Sequence, residues 1–195
     1  MDMLYSLPGL FIAIIFHELA HGITAYWLGD NTAKDAGRLT LNPIKHIDVT
    51  GFIFMLIFKF GWAKPVPVNP FNFKERKKGM ILVSLAGPIT NFLIAIIIGF
   101  LLSLNIITNG IIFKMLFITL WYNIMLGVFN LLPFPPLDGS KILASLLPGK
   151  LEYYFYKYEK YMYVILIILI GTNTIDRIMG PVIDTTLNLL IRIIS

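Results

Sequence analysis

Phe16-His17-Glu18-Leu19-Ala20-His21-Gly22 decides how this chain is read, because its ionisable side chains sit inside an apolar run over residues 3–28. That run exceeds the roughly 20 residues a helix needs to cross the hydrocarbon of a bilayer. On a helix, His17 and His21 stand four positions apart and project from one face, close enough to share one metal ion. Glu18 lies one step round. In the H-E-x-x-H spacing such a carboxylate stays off the metal and acts as general base toward a water molecule. A five-residue pattern with three fixed positions also arises by chance. Within a membrane segment it is costly: a carboxylate near the bilayer centre costs at least about 2.5 kcal/mol on an insertion scale, so an ionisable cluster there signals function. The motif occupies the second half of the run, which places it nearer the membrane face reached at Gly29.

The composition makes the membrane reading general. Hydrophobic residues are 57% of the 195 and mean hydropathy is +0.77, whereas soluble domains are about half apolar with glycine counted in. No polar segment is long enough to bury a separate soluble core, so residues 1–195 are expected to form one membrane-embedded domain, with a core at about 3–145 and C-terminal helices at about 151–195. Cysteine is absent. That excludes disulfides and thiolate metal sites and leaves histidine and carboxylate to hold any zinc. The net charge of +5 comes from Lys and Arg in short loops beside apolar runs, where they orient a membrane protein, and no nucleic-acid partner is expected. The first three residues carry no basic region and the first apolar run carries the motif, so no cleaved leader is expected.

The expected architecture is an all-α polytopic membrane protein. Its core is three transmembrane helices at residues 3–28, 80–104 and 111–132, followed by one or two C-terminal hydrophobic segments. Between the first two spans, Leu39 and Leu41 alternate with Arg38, Thr40 and Asn42 up to Pro43, which is a period-two strand signal. A small membrane-associated β element near residues 37–43 is therefore expected, and it must pair internally or receive another chain. His46 and Asp48 read as structural or surface residues. Residues 52–60 are apolar but too few to cross, and read as re-entrant or interfacial. Residues 61–70 contain Pro65, Pro67 and Pro70, which exclude a helix.

Two further polar positions lie at depth. Asn91 in the second span reads as an interhelical hydrogen-bonding group, with Gly87 allowing close backbone approach. After the third span, Pro133, Pro135 and Pro136 break the helix and leave Asp138 at the membrane face. Non-helical backbone at that depth needs protein or a water-filled cavity around it, and Asp138 is read as the third metal ligand. Toward the end, residues 161–171 cross only if the Tyr-rich stretch from Glu152 joins them, and residues 175–194 have the pattern of an amphipathic interfacial helix.

Charge sets the expected orientation. Nine cations (Lys34, Arg38, Lys45, Lys59, Lys64, Lys74, Arg76, Lys77 and Lys78) lie between Asp30 and Lys78, and residues 105–110 hold none. The positive-inside rule puts the first region in the cytoplasm. His17, His21 and Asp138 then face a cytoplasmic opening of a multi-pass protein of the cell membrane.

With these motifs on the page, the chain resembles the site-2 protease family of intramembrane zinc metalloproteases, of the small prokaryotic type without a PDZ or other accessory domain. The resemblance covers about residues 10–145. It rests on His17-Glu18-Leu19-Ala20-His21, on Gly87 and Asn91, and on the Asn-x-x-Pro-x-Pro-x-x-Asp-Gly element from Asn130 to Gly139. It implies one Zn2+ per chain held by His17, His21 and Asp138, with Glu18 as catalytic base. It implies that Asn91 and Asn130 lie near the substrate or transition state. The implied partners are transmembrane protein substrates and the lipid bilayer, and the implied activity is hydrolysis of peptide bonds in or near transmembrane segments, as in regulated intramembrane proteolysis. An unwound substrate segment could be received by strand addition along Arg38, Leu39, Thr40, Leu41 and Asn42. A non-catalytic membrane scaffold or a metal-ion transporter is the alternative, although a transporter usually shows matched broken repeats and none is visible. The sequence leaves the oligomeric state and the physiological substrate open.

Overall fold

The computed structural model of the chain describes residues 3–58 and 61–194. Those residues are helical over 76% of the chain, without a strand. Helix α1 (Met3–Trp27) is followed by the single turn α2 (Thr32–Asp35) and by α3 (Val49–Phe58). Then come α4 (Arg76–Ser103), α5 (Gly110–Asn130), α6 (Asp138–Leu146), α7 (Gly149–Gly171) and α8 (Thr174–Ile194).

Three of these helices, over Tyr5–Trp27, Arg76–Ser103 and Gly110–Asn130, are long and apolar enough to cross a membrane. At 1.5 Å per residue the 28 residues of α4 reach about 42 Å and the 21 of α5 about 32 Å, against a hydrocarbon core of about 30 Å. Helices α7 and α8 meet at a bend of 77° and count as a fourth span only if the pair is taken together. With ten residues, α3 reaches only about 15 Å and does not cross. The end of that apolar segment, at residues 59 and 60, lies outside the described residues, and with it Lys59 of the cationic run.

Local chemistry sets several of these boundaries. Asn109 caps α5 by accepting from the N–H groups of Ile111 and Ile112 at 2.9 and 3.2 Å, which satisfies two of the donors a helix start leaves open. The prolines after Asn130 end α5, and the chain restarts as α6 with Asp138 as its first residue. Helix α4 is central, packing against α1, α5 and α6. Its Ala95 and Ile98, with Leu120, Ile124 and Val128 of α5, form a buried apolar layer closed by Leu166, Ile175 and Met179 of the C-terminal pair.

The strand expected near residues 37–43 does not form. Thr40 N–H turns back onto Arg38 O at 3.0 Å, Asn42 N–H bonds the Thr40 hydroxyl at 3.2 Å, and Thr40 O pairs with His46 Nε2 at 2.8 Å. These local bonds consume the groups a ladder would have used, and Ser/Thr/Asn side chains compete with secondary structure in this way. Alternation of Leu39 and Leu41 had a different origin: Leu39 packs against Gly22 of α1, while Leu41 is exposed. Among the described residues the extended pairing is limited to one antiparallel bridge between Ile47 and Ala63. His46 is a buried structural residue, 1% exposed, and Asp48 accepts from Gly51 N–H at 2.8 Å near the start of α3.

Candidate metal centre

Three elements far apart in sequence meet at one point. His17 and His21 come from the middle of α1, and Asp138 from the start of α6. All three are buried. His21 Nε2 lies 3.0 Å from His17 Nε2 and 3.0 Å from Asp138 Oδ2, and His17 Nε2 lies 3.1 Å from the same oxygen. Among the described residues these are the one group of three side chains placed to hold a metal ion.

The outer atoms of the three side chains decide what the inner atoms can be. His21 Nδ1 faces the carbonyl of Val83 at 2.7 Å; a carbonyl only accepts, so Nδ1 carries the proton. His17 Nδ1 faces Asn91 Oδ1 at 2.6 Å. The Asn91 amide is oriented by its own nitrogen, which donates to Ala13 O at 3.0 Å and to Asn123 Oδ1 at 2.9 Å. Asn91 therefore presents oxygen to His17, and that Nδ1 also carries the proton. With both Nδ1 atoms engaged outward, both histidines turn Nε2 inward, where Asp138 adds a carboxylate oxygen. Three such atoms within 3.1 Å of one another form a donor set suited to a cation. A tetrahedral zinc with ligands at about 2.05 Å would separate them by about 3.3 Å, close to the triangle seen here. The donor set therefore fits a His-His-carboxylate zinc site with one position left for water or substrate.

The support around these side chains is extensive. Lys141, one turn along α6, donates to Asp138 Oδ1 at 3.0 Å and leaves Oδ2 free for the centre. Helix α4 can approach because residue 87 has no side chain: a Cβ there would lie 2.6 Å from both His17 Cε1 and His21 Nε2. Gly139 is similarly confined, since a Cβ would lie 2.2 Å from Leu131 O. The end of α5 thus touches the start of α6, which is what brings Asp138 back to the membrane helices.

A cavity of about 240 Å³ opens beside the triangle, lined among others by His17, Glu18, Val66, Ser84, Asn130 and Asp138. Glu18 is not one of the converging groups; its Oε2 accepts from Val66 N–H at 2.8 Å. Asn130 reaches the cavity while its Nδ2 donates to Leu126 O at 3.0 Å within α5. Asn91 is 0% exposed and lies behind His17, where it orients a ring. None of Arg38, Leu39, Thr40, Leu41 and Asn42 lines the cavity. The extended chain at Pro65, Val66 and Val68 lies there instead. Sequence reading did not single out Lys141 or Ser84, and noted Asn123 only as a polar residue of the third span. Asn123 is buried; the Ser84 hydroxyl, on the cavity wall, is buried without a hydrogen-bond partner among the described residues.

Comparison with known proteins agrees with this geometry. Residues 103–171 match the family model described as Peptidase family M50. The chain is 38% identical over 204 residues to "Putative zinc metalloprotease YwhC" of Bacillus subtilis, an alignment covering 99% of this chain and 92% of that protein. It is 31% identical over 147 residues to "Zinc metalloprotease MJ0392" of Methanocaldococcus jannaschii, covering 74% of this chain and 34% of the longer protein. No solved structure matches. Near-complete alignment with the Bacillus protein, together with the M50 match across the end of α4 through α7, places this chain in peptidase family M50, the site-2 protease family.

Proposed function

We propose that this protein is an intramembrane zinc metalloprotease that hydrolyses peptide bonds in or near the transmembrane segments of other membrane proteins. The observation that carries this reading is the inward convergence of two Nε2 atoms and one carboxylate oxygen beside a carboxylate that is kept off the centre.

Zinc held by His17, His21 and Asp138 would supply Lewis-acid polarisation of the scissile carbonyl and of a water molecule. Glu18 lines the same cavity and takes the proton from that water, then returns it to the leaving amine. Asn91 fixes the orientation of His17, and Val83 O fixes that of His21. Asn130, which lines the same cavity, could hydrogen-bond the substrate once its amide leaves Leu126 O. Charge in the 30–78 region supports a cavity that opens to the cytoplasm and a release of cleaved segments on that side, as regulated intramembrane proteolysis requires.

The test is cleavage of a model transmembrane substrate by the purified full chain. Glu18→Gln is expected to retain one zinc and lose about 10²–10⁴-fold in kcat, the usual contribution of a positioned base. Cleavage by Glu18→Gln at the wild-type rate, or none by the zinc-loaded wild type, would overturn the reading.

A further inference from the structure

We infer that Arg38 is a positioning residue for Glu18, acting through the peptide group that joins Pro65 to Val66. This rests on the assignment of Glu18 as the base. Arg38 is buried, 6% exposed, and its own N–H is tied to Ala33 O at 2.9 Å just after α2. Its guanidinium donates from Nη2 to Lys64 O at 2.7 Å and from Nη1 to Pro65 O at 3.0 Å. The N–H on the other side of that second peptide, belonging to Val66, donates to Glu18 Oε2 at 2.8 Å.

Pro65 O and Val66 N–H belong to one rigid planar unit. In a trans peptide they point in opposite directions, so the oxygen faces the cation and the N–H faces the carboxylate. Each charge meets the favourable end of the same dipole, and hydrogen bonds to charged groups are about twice as strong as neutral ones. Val66 has no substitute: Pro65 and Pro67 lack N–H, so it is the one backbone donor in residues 65–67. The clamp has a second anchor, since Lys64 N–H donates to His46 O at 2.9 Å and Ala63 bridges Ile47. A carboxylate free to rotate spends only part of its time aimed at the reacting water, and rotamer locking by surrounding hydrogen bonds is what a precise site needs. Arginine suits the task because its fork spans two carbonyls at once, whereas the point charge of lysine engages one well.

The experiment uses the purified full chain with Arg38→Met, Arg38→Lys and Glu18→Gln variants. Labelling with 13C-carbonyl proline and 15N valine gives paired signals only from the three Pro-Val steps, at 65–66, 67–68 and 181–182; Val66→Ile identifies the first by removing it. The Val66 amide proton is expected to move upfield in both Arg38→Met and Glu18→Gln, with or without zinc. In cleavage assays Arg38→Met is expected to lose about ten- to a hundred-fold in kcat, the range for outer-shell partners. KM and zinc stoichiometry stay at wild-type values, and Arg38→Lys recovers part of the loss. An unmoved Val66 signal in Arg38→Met, or a raised KM at unchanged kcat, would overturn the inference. If Arg38→Met does not fold, Arg38→Lys carries the test, and a wild-type Val66 signal together with wild-type kcat refutes it. Should the wild type cleave nothing, the amide signals still decide whether Arg38 and Glu18 share this peptide.

Discussion

Gly87→Ala tests whether α4 must close directly onto the metal ligands. The added Cβ would lie 2.6 Å from His17 Cε1, 2.6 Å from His21 Nε2 and 2.7 Å from His17 Nδ1. Ordinary contact begins near 3.4 Å, so the rings or the helix must give way by about 0.8 Å (3.4 minus 2.6). Neither ring can move freely, because His17 is held by Asn91 at 2.6 Å and His21 by Val83 O at 2.7 Å. Overpacking of this kind costs about 1–3 kcal/mol. If the strain is relieved by displacing the ligands, it appears as zinc affinity weakened about 5- to 150-fold, at 1.4 kcal/mol per factor of ten. Competition with a chromophoric chelator on the purified protein measures this directly, and cleavage at saturating zinc shows whether the damage is confined to binding. Wild-type zinc affinity together with wild-type cleavage in Gly87→Ala would refute the close approach of α4.

Other consequences can be measured separately. Asn91→Leu removes the acceptor that fixes the His17 tautomer and is expected to weaken zinc binding about 10–100-fold, with Asn123→Leu doing less; equal zinc affinities in all three proteins would contradict the chain from Asn123 to His17. Asp30 is buried after α1 and accepts from Thr32, Asn69 and Asn72; burial pulls its carboxyl upward, but these hydrogen bonds outweigh it and hold the group below the usual carboxylate range. A depressed folded value means a stabilisation fully present above the unfolded value of about 3.9 and lost as pH falls through the folded one. Asp30→Asn should therefore flatten the acid limb of thermal stability below about pH 5, and an unchanged acid limb would remove Asp30 from the account. For orientation, Lys74→Cys is the suitable site, since Lys74 is exposed while Asn72 is engaged with Asp30; in intact cells a membrane-impermeant thiol reagent should leave it unlabelled, and ready labelling would reverse the topology.

The metal motif was legible because helical spacing alone aligns His17 with His21, and because ionisable groups are costly in an apolar run. Asp138 was legible for a different reason, as the one acid beside a proline break after a membrane span. What the sequence could not display is the second rank of contacts. Asn91 reads equally well as a helix-helix group or a substrate contact until its amide is seen between Ala13, Asn123 and His17. The separate helix α6 carried a readable start, with Asp138 in its first turn after three prolines. The strand near residues 37–43 was misread because a period of two needs a partner to become a ladder, and the local acceptors around Thr40 claimed that backbone first.

The arrangement also couples zinc to helix packing. In each histidine the nitrogen that faces away from the centre is committed to α4, through Asn91 or Val83, while the nitrogen that faces the centre opposes the oxygen of α6. Removing the cation leaves the two Nε2 atoms and Asp138 Oδ2 facing one another in a buried space beside the cavity. The bonds to α4 are unaffected by that loss, since they run through the Nδ1 protons. The contact that loses its tie is the one between α1 and α6, which is made by Asp138 with His17 and His21. A ligand that binds only the assembled state stabilises it by about 2.7 kcal/mol when present at a hundred times its dissociation constant. Zinc is therefore expected to add a tie between α1 and α6 to the packing that already holds α6 against α4, so that metal binding and helix packing reinforce one another.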